Sequence, residues 1–478
     1  MNIKIITHTL GTVLKFEAIS LMLPLICAII YKEPYIPLYV SCIILTLLVG
    51  FLLSRKSPEN KSMTAREGLI SVGLAWIALS IFGALPFVLS GAIPNFVDAL
   101  FETVSGFTTT GASILKDVEA LPKSLLFWRS FTHWIGGMGV LVFLVAILPL
   151  SGGNNLNLIK AESPGPSVGK LVPKVKSTAK LLYGMYLLFT IVEIILLLLG
   201  GLNLFDSLTL TFGTAGTGGF AILNSGIASY SPYVQVVITV FMILFGIDFS
   251  VYFLLLLRKF KSAFQSDEVK VYLGIILLSI MAITINCRHL FTSVWETIRH
   301  SAFQVASIIT TTGYSTVDFD LWPEFSKTIL VILMFIGACA GSTGGGIKVS
   351  RIVILFKSIA KQMKLAVHPK STIKISMNGR FIEHETIRAV NVFMVSYLVI
   401  FMTSLLIISI DNMSFTTNFT AIAATINNIG PGLEAVGPTQ NFSAYSILSK
   451  LVLIFNMLVG RLEIFPMLIL FSPYTWKK

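Results

Sequence analysis

The sequence predicts an all-α polytopic membrane protein. Four pseudo-symmetric repeats, each a span, a half-helix, a filter loop and a second span, surround one pore, and a two-helix hairpin precedes them. Three observations lead there. Hydrophobic residues make up 55% of the 478 and charged residues only 12%, about half the charged share of a soluble domain, with a mean hydropathy of +0.84. Long apolar stretches recur along the whole chain, each able as a helix to cross ~30 Å of hydrocarbon. Between them lies a repeated polar loop: Thr108-Thr109-Thr110-Gly111 returns 202 residues later as Thr310-Thr311-Thr312-Gly313, with Ser105 and Ser113 answered by Ser307 and Ser315. Two related loops complete the set, Thr217-Gly218-Gly219-Phe220 and Asn427-Asn428-Ile429-Gly430. Repeats of near-constant period take precedence over any local motif.

Residues 1–60 hold two spans, 12–30 and 36–53, with nothing like the repeated loop, and form the added hairpin. The first repeat, 61–165, has spans at 69–89 and 126–150 around a half-helix at 95–107 that leads into the loop. The linker 151–180 carries Gly, Asn, Pro and five lysines. The second repeat, 166–262, has spans at 181–202 and 234–257 with a half-helix at 204–213. The third, 263–375, has spans at 271–285 and 328–340, a half-helix at 294–309, and a glycine-rich intramembrane segment at 341–348. The fourth, 376–478, has spans at 390–410 and 447–471 with a half-helix at 415–426.

The net charge of +12 is dispersed between spans, which excludes a nucleic-acid partner. Most Lys and Arg lie in the termini and in the segments between repeats. By the positive-inside rule both termini are therefore cytoplasmic and the four loops open outward. The four cysteines lack C-x-x-C spacing and the six histidines lack pairing, so neither a disulfide framework nor a zinc site is expected.

Non-helical backbone survives at membrane depth only when buried in protein or lining water. Carbonyl oxygens of an extended segment can replace the hydration shell of a monovalent cation. Aiming them at one axis requires φ > 0, which glycine tolerates. The candidate ion-binding residues are Thr109, Thr110 and Gly111; Thr217, Gly218 and Gly219; Thr311, Thr312 and Gly313; and Asn428, Ile429 and Gly430. In the second loop Gly218 and Gly219 both fit the anchor position. The half-helices would end at the filter with their partly negative C-termini toward the ion.

These loops, with Gly-Ser-Thr-Gly-Gly-Gly-Ile-Lys at 341–348 and Gly-Arg-Leu-Glu-Ile-Phe at 460–465, resemble the Trk/Ktr/HKT superfamily of potassium transporters. The N-terminal hairpin is similar to that of its TrkH family. The resemblance covers nearly the whole chain. It implies uptake of K⁺ as the transported ion across the cytoplasmic (inner) membrane, a homodimer with one pore per subunit, and some tolerance of Rb⁺. It also implies a cytoplasmic TrkA-like ring of regulatory subunits, the only place where a nucleotide is expected. Glycine at position 111, rather than serine, resembles the potassium-selective members.

The segment Gly341, Ser342, Thr343, Gly344, Gly345, Gly346 with Lys348 interrupts a span. It reads either as a tight helix crossing or as an intramembrane gate. A phosphate-binding loop is excluded, because Ile347 and Val349 flank Lys348 and no strand leads in. Arg461 lies inside the last apolar stretch, where a charge needs a pore or a partner. We expect its guanidinium to contact the 341–346 loop below the filter; a salt bridge to Asp248 is the structural alternative. For the deep carboxylates Glu193 and Asp248, hydrogen-bonded structural roles are expected over proton coupling. Competing functions are a secondary carrier for a small organic solute built of inverted repeats and a potassium symporter coupled to H⁺ or Na⁺. A membrane-embedded enzyme is the third, without the clustered catalytic residues that it needs. The chain is expected not to be an enzyme.

Overall fold

The computed structural model describes residues 1–56, 63–137, 139 and 175–476. Among the described residues six helices are long and apolar enough to cross a membrane, and one bent pair makes up to seven. The described strands are the pair Ser376–Met377 and Arg380–Phe381. They are joined by Asn378 and Gly379, both at positive φ, as a two-residue hairpin turn requires.

The N-terminal hairpin consists of Ile3–Ser20 running into Met22–Ile30, and Ile36–Ser54. A Cβ on Gly50 would lie 3.0 Å from the Gly11 carbonyl oxygen. The two backbones thus approach through small residues, as helices do in lipid. The hairpin packs against Ala65–Gly83, the first span of the first repeat.

The four half-helices are Phe96–Phe107, Leu204–Ala215, Val294–Ile309 and Phe415–Ile426. Each is started by a side chain that accepts from its first turn: Asn95, Asn203, Ser293 and Ser414. These are favoured N-cap types. A 12-residue helix is ~18 Å long, so the first, second and fourth stop partway through a membrane.

The second helix of the second and of the fourth repeat is where the structure departs from expectation. The stretch 234–257, read as one span, is Pro232–Phe245 and Phe249–Leu256, bent by 90°. The stretch 447–471 is likewise Ile447–Arg461 and Phe465–Phe471, with Glu463 and Ile464 at φ 58 and 70. A β-branched residue at positive φ is an outlier and is held only where its surroundings over-determine it. The cause here is side-chain recruitment: Glu463 pairs with Arg351 while Arg461 reaches the third repeat. In the third repeat Glu324–Met334 ends before the glycine-rich segment and Val349–Val367 resumes after it. In the first repeat Lys123–Gly137 is described. The continuation to residue 150 and the linker up to residue 174, apart from Gly139, lie outside the described residues.

Candidate ion pathway

Each half-helix ends in the same turn. Thr109 N–H donates to Gly106 O (3.1 Å) and Thr110 N–H to Ser105 O (2.8 Å). Thr217 and Gly218 repeat this on Thr214 O (3.0 Å) and Gly213 O (2.8 Å). Thr311 and Thr312 repeat it on Ile308 O (3.1 Å) and Ser307 O (2.8 Å), and Asn428 and Ile429 on Thr425 O (3.2 Å) and Ala424 O (2.8 Å). This is the Schellman pattern, whose turning residue is left-handed. Glycine usually takes that place; here it is Thr109, Thr217, Thr311 and Asn428, at φ 55, 55, 60 and 55. A left-handed threonine costs about 1–2 kcal/mol, and the paired backbone bonds hold it. Two residues on come Gly111, Gly219, Gly313 and Gly430, at φ 79, 75, 84 and 100. The register of the second loop follows: Gly219 is the anchor, and Gly218 stands where the first loop has Thr110.

The four loops close a ring. A Cβ on Gly111 would collide with the Gly218 carbonyl, one on Gly219 with that of Thr312, and one on Gly313 with that of Ile429. A Cβ on Gly430 would lie 2.8 Å from the Thr110 oxygen. Every glycine therefore abuts the carbonyl just upstream of the next loop's glycine, in the order first, second, third, fourth, first. All four glycines line one cavity. Beyond the ring each seam is tied again. Asn224 bonds Asp117 (2.7 Å), Ile227 N–H donates to Ser315 O (2.9 Å), Thr439 bonds Asp318 (3.2 Å), and Phe442 N–H donates to Ser113 O (2.8 Å).

Three polar residues that sequence reasoning passed over brace this ring. Glu102, on the first half-helix, pairs with buried Arg129 at 2.6 Å and accepts from Ser113 Oγ (2.9 Å) and Ile114 N–H (3.0 Å). Arg129 also donates to Ala221 O at 2.8 Å and lies over the Phe220 ring, so one ion pair joins the chain past the first loop to the chain past the second. His133 lies with Nδ1 2.8 Å from Gly106 O and Nε2 3.3 Å from Phe220 N. Donation from Nδ1 and acceptance at Nε2 satisfy both contacts. An acid on the half-helix and a base in the following span of the same repeat were the available signal.

Under the third and fourth loops lies the glycine-rich segment. Residues 342–345, Ile347 and Lys348 are buried. Gly345 N–H donates to Thr311 Oγ1 at 2.8 Å, and a Cβ on Gly345 would lie 2.7 Å from that of Asn428. Lys348 Nζ donates to Gly345 O at 3.2 Å and to Gly344 O. The unforeseen break in the second repeat supplies acceptors: Cys339 N–H bonds Gly246 O (3.0 Å) and Thr343 Oγ1 bonds Phe245 O (3.2 Å). Arg461 donates to Thr343 O at 2.8 Å, Gly137 O at 2.7 Å and Gly136 O. Its contact with Thr343 in the segment is the one expected, and it lies close to the first loop, where Gly136 packs on the Phe107 carbonyl. Asp248 instead caps the helix Phe249–Leu256 through Ser250 N–H (2.8 Å). Glu193 is fully buried near Thr214, whose hydroxyl donates to Leu210 O at 3.0 Å, and neither carboxyl oxygen has a hydrogen-bond partner among the described residues, unlike the hydrogen-bonded role expected.

A helical chain with six or seven apolar spans and four loops closed around one cavity has the build of a membrane transport protein. The TrkH model, described as a cation transport protein, matches residues 38–478. The chain belongs to the TrkH family of cation transport proteins. It is 35% identical over 488 residues to the Trk system potassium uptake protein TrkH of Escherichia coli K12, with all of both chains covered. It is 31% identical to TrkG of the same strain, covering 100% of this chain and 99% of that one. The crystal structure of the potassium transporter TrkH from Vibrio parahaemolyticus superposes with a TM-score of 0.89 at 31% identity, again over 100% of both chains.

Proposed function

We propose that this protein carries K⁺ into the cell through a channel-like pore, with the four glycine-anchored loops as its selectivity filter. The observation that carries the reading is the closed ring of positive-φ glycines, each set against a neighbouring carbonyl. The ligands are backbone oxygens around residues 109–111, 217–219, 311–313 and 428–430. The half-helix C-termini add partial negative charge at the same place. The names of the E. coli and Vibrio relatives, both potassium proteins, support K⁺ as the ion.

Below the filter, residues 341–346 with Lys348 and Arg461 act as the gate. Two cations, the buried Lys348 and the part-buried Arg461, oppose a third, so conduction requires the loop and its arginine to move. The reading further takes the protein as a homodimer in the cytoplasmic membrane with both termini inside, opened by a TrkA-like nucleotide-binding subunit. The excess of Lys and Arg between repeats supports that orientation. Proteoliposomes loaded with K⁺ test the whole: ⁸⁶Rb⁺ uptake should be competed by K⁺ far better than by Na⁺ and should not need a pH gradient. Uptake that collapses with a protonophore while the membrane potential is clamped would favour the proton-coupled alternative.

A further inference from the structure

One carboxylate holds both ends of the glycine-rich loop. Glu268 Oε1 accepts from Ala340 N–H at 2.7 Å and from Ser350 N–H at 2.9 Å, and Glu268 is 6% exposed. These amides lie just before Gly341 and just after Val349, so a single oxygen spans the run of residues between them. A carboxylate or amide oxygen has two lone pairs and can accept both bonds at once. The side chain is also set on a fixed base. Its helix, Asp267–Cys287, is capped by Ser266. Asp267 N–H donates to Asn378 Oδ1 (2.7 Å), and Asp267 Oδ2 accepts from Asn378 N–H (3.1 Å) and Lys357 Nζ (3.2 Å).

We propose that Glu268 is a positioning residue for the gate: by tying residue 340 to residue 350 it holds the loop in its obstructing shape, and opening requires both bonds to break. This rests on the reading of the loop as the gate. Local backbone satisfaction alone would need only the Ser350 N–H, in the first turn of the helix Val349–Val367; the second bond, across the loop, is what makes a clamp.

The native thiol of Cys339, fully buried and next to Ala340, reports on the loop. In full-length protein with Cys27, Cys42 and Cys287 replaced by Ser, alkylation of Cys339 by a small maleimide and ⁸⁶Rb⁺ influx into proteoliposomes are measured together. Glu268→Ala should raise alkylation about tenfold and influx several-fold. Glu268→Gln, which keeps an amide oxygen in place, should leave both near the parent level. Glu268→Asp, which draws the oxygen back by one methylene, should move both in the direction of Ala and decides the matter if the Ala variant does not fold. Unchanged alkylation in Ala and Asp, or a Gln variant matching Ala, overturns the clamp. Raised alkylation with unchanged influx keeps the clamp and removes the loop as gate.

Discussion

The Asn428 side chain in the fourth of the ring's loops donates to the Thr110 hydroxyl in the first, 3.0 Å away and 318 residues earlier in the chain. The same Nδ2 also donates to Met457 O at 2.9 Å. This contact lies on the one seam of the ring that joins its last quarter to its first. The other three seams link repeats adjacent in sequence. Thr110 bonds Thr108 at 2.8 Å as well, a pairing that Thr312 and Thr310 copy in the third loop.

Replacing Asn428 with Ala should loosen that seam without emptying the filter of carbonyls. Losing a buried hydrogen bond costs about 1–3 kcal/mol. Discrimination of K⁺ against Na⁺, read from competition for ⁸⁶Rb⁺ uptake, should fall about tenfold while uptake itself persists.

Gly219→Ala should abolish uptake, because the added methyl meets the Thr312 carbonyl as well as an unfavourable φ. Gly91→Ala is the control: its φ is 74, yet nothing lies within 4 Å of the new Cβ. Backbone strain alone, of order 1 kcal/mol, should lower the melting temperature slightly and leave uptake intact.

Arg461→Ala should raise uptake several-fold in the absence of any regulatory subunit. It removes a guanidinium that binds Thr343 in the loop and Gly137 beside the filter. Equal initial rates of ⁸⁶Rb⁺ entry in variant and parent would remove the gate.

Glu102→Gln should destabilise the protein by about 3–5 kcal/mol, since it leaves Arg129 as an uncompensated buried charge. The measurement is thermal stability of the purified protein by size-exclusion chromatography. Adding Arg129→Met should restore most of the loss.

Outside the spans, Glu434 carries a pH signature. Its carboxylate accepts from Ser414 and from Thr417 at 3.1 Å, and the Ser414 bond foremost holds it below the usual glutamate value. A depressed folded value contributes stability that is present above the unfolded value of ~4.3 and is lost as pH falls through the folded one. Glu434→Gln should therefore melt below the parent at neutral pH, and the gap should close on acidification past that point.

The half-helices, the loops and the hairpin were legible because each has a local signature: a capping Asn or Ser, an apolar run of defined length, a terminal glycine. Arg461 was legible as a charge where none is cheap. The breaks at 246–248 and 462–464 were not, because nothing local demands them. Gly246 opens its helix to supply acceptors to a loop some ninety residues away, and Ile464 takes a conformation its side chain disfavours because Glu463 and Arg461 are drawn to the third repeat. The Glu102–Arg129 pair was hidden likewise: each residue reads as an ordinary surface charge until the fold sets them 2.6 Å apart.

The residues that follow the anchor glycines are Ala112, Phe220, Tyr314 and Pro431, four different side chains at one structural position. In a ring of four identical subunits, any change at such a position arrives in fourfold dose. A pore written out in a single gene can be edited one quadrant at a time. Selection can then trade affinity against throughput in steps too small for a symmetric channel to take.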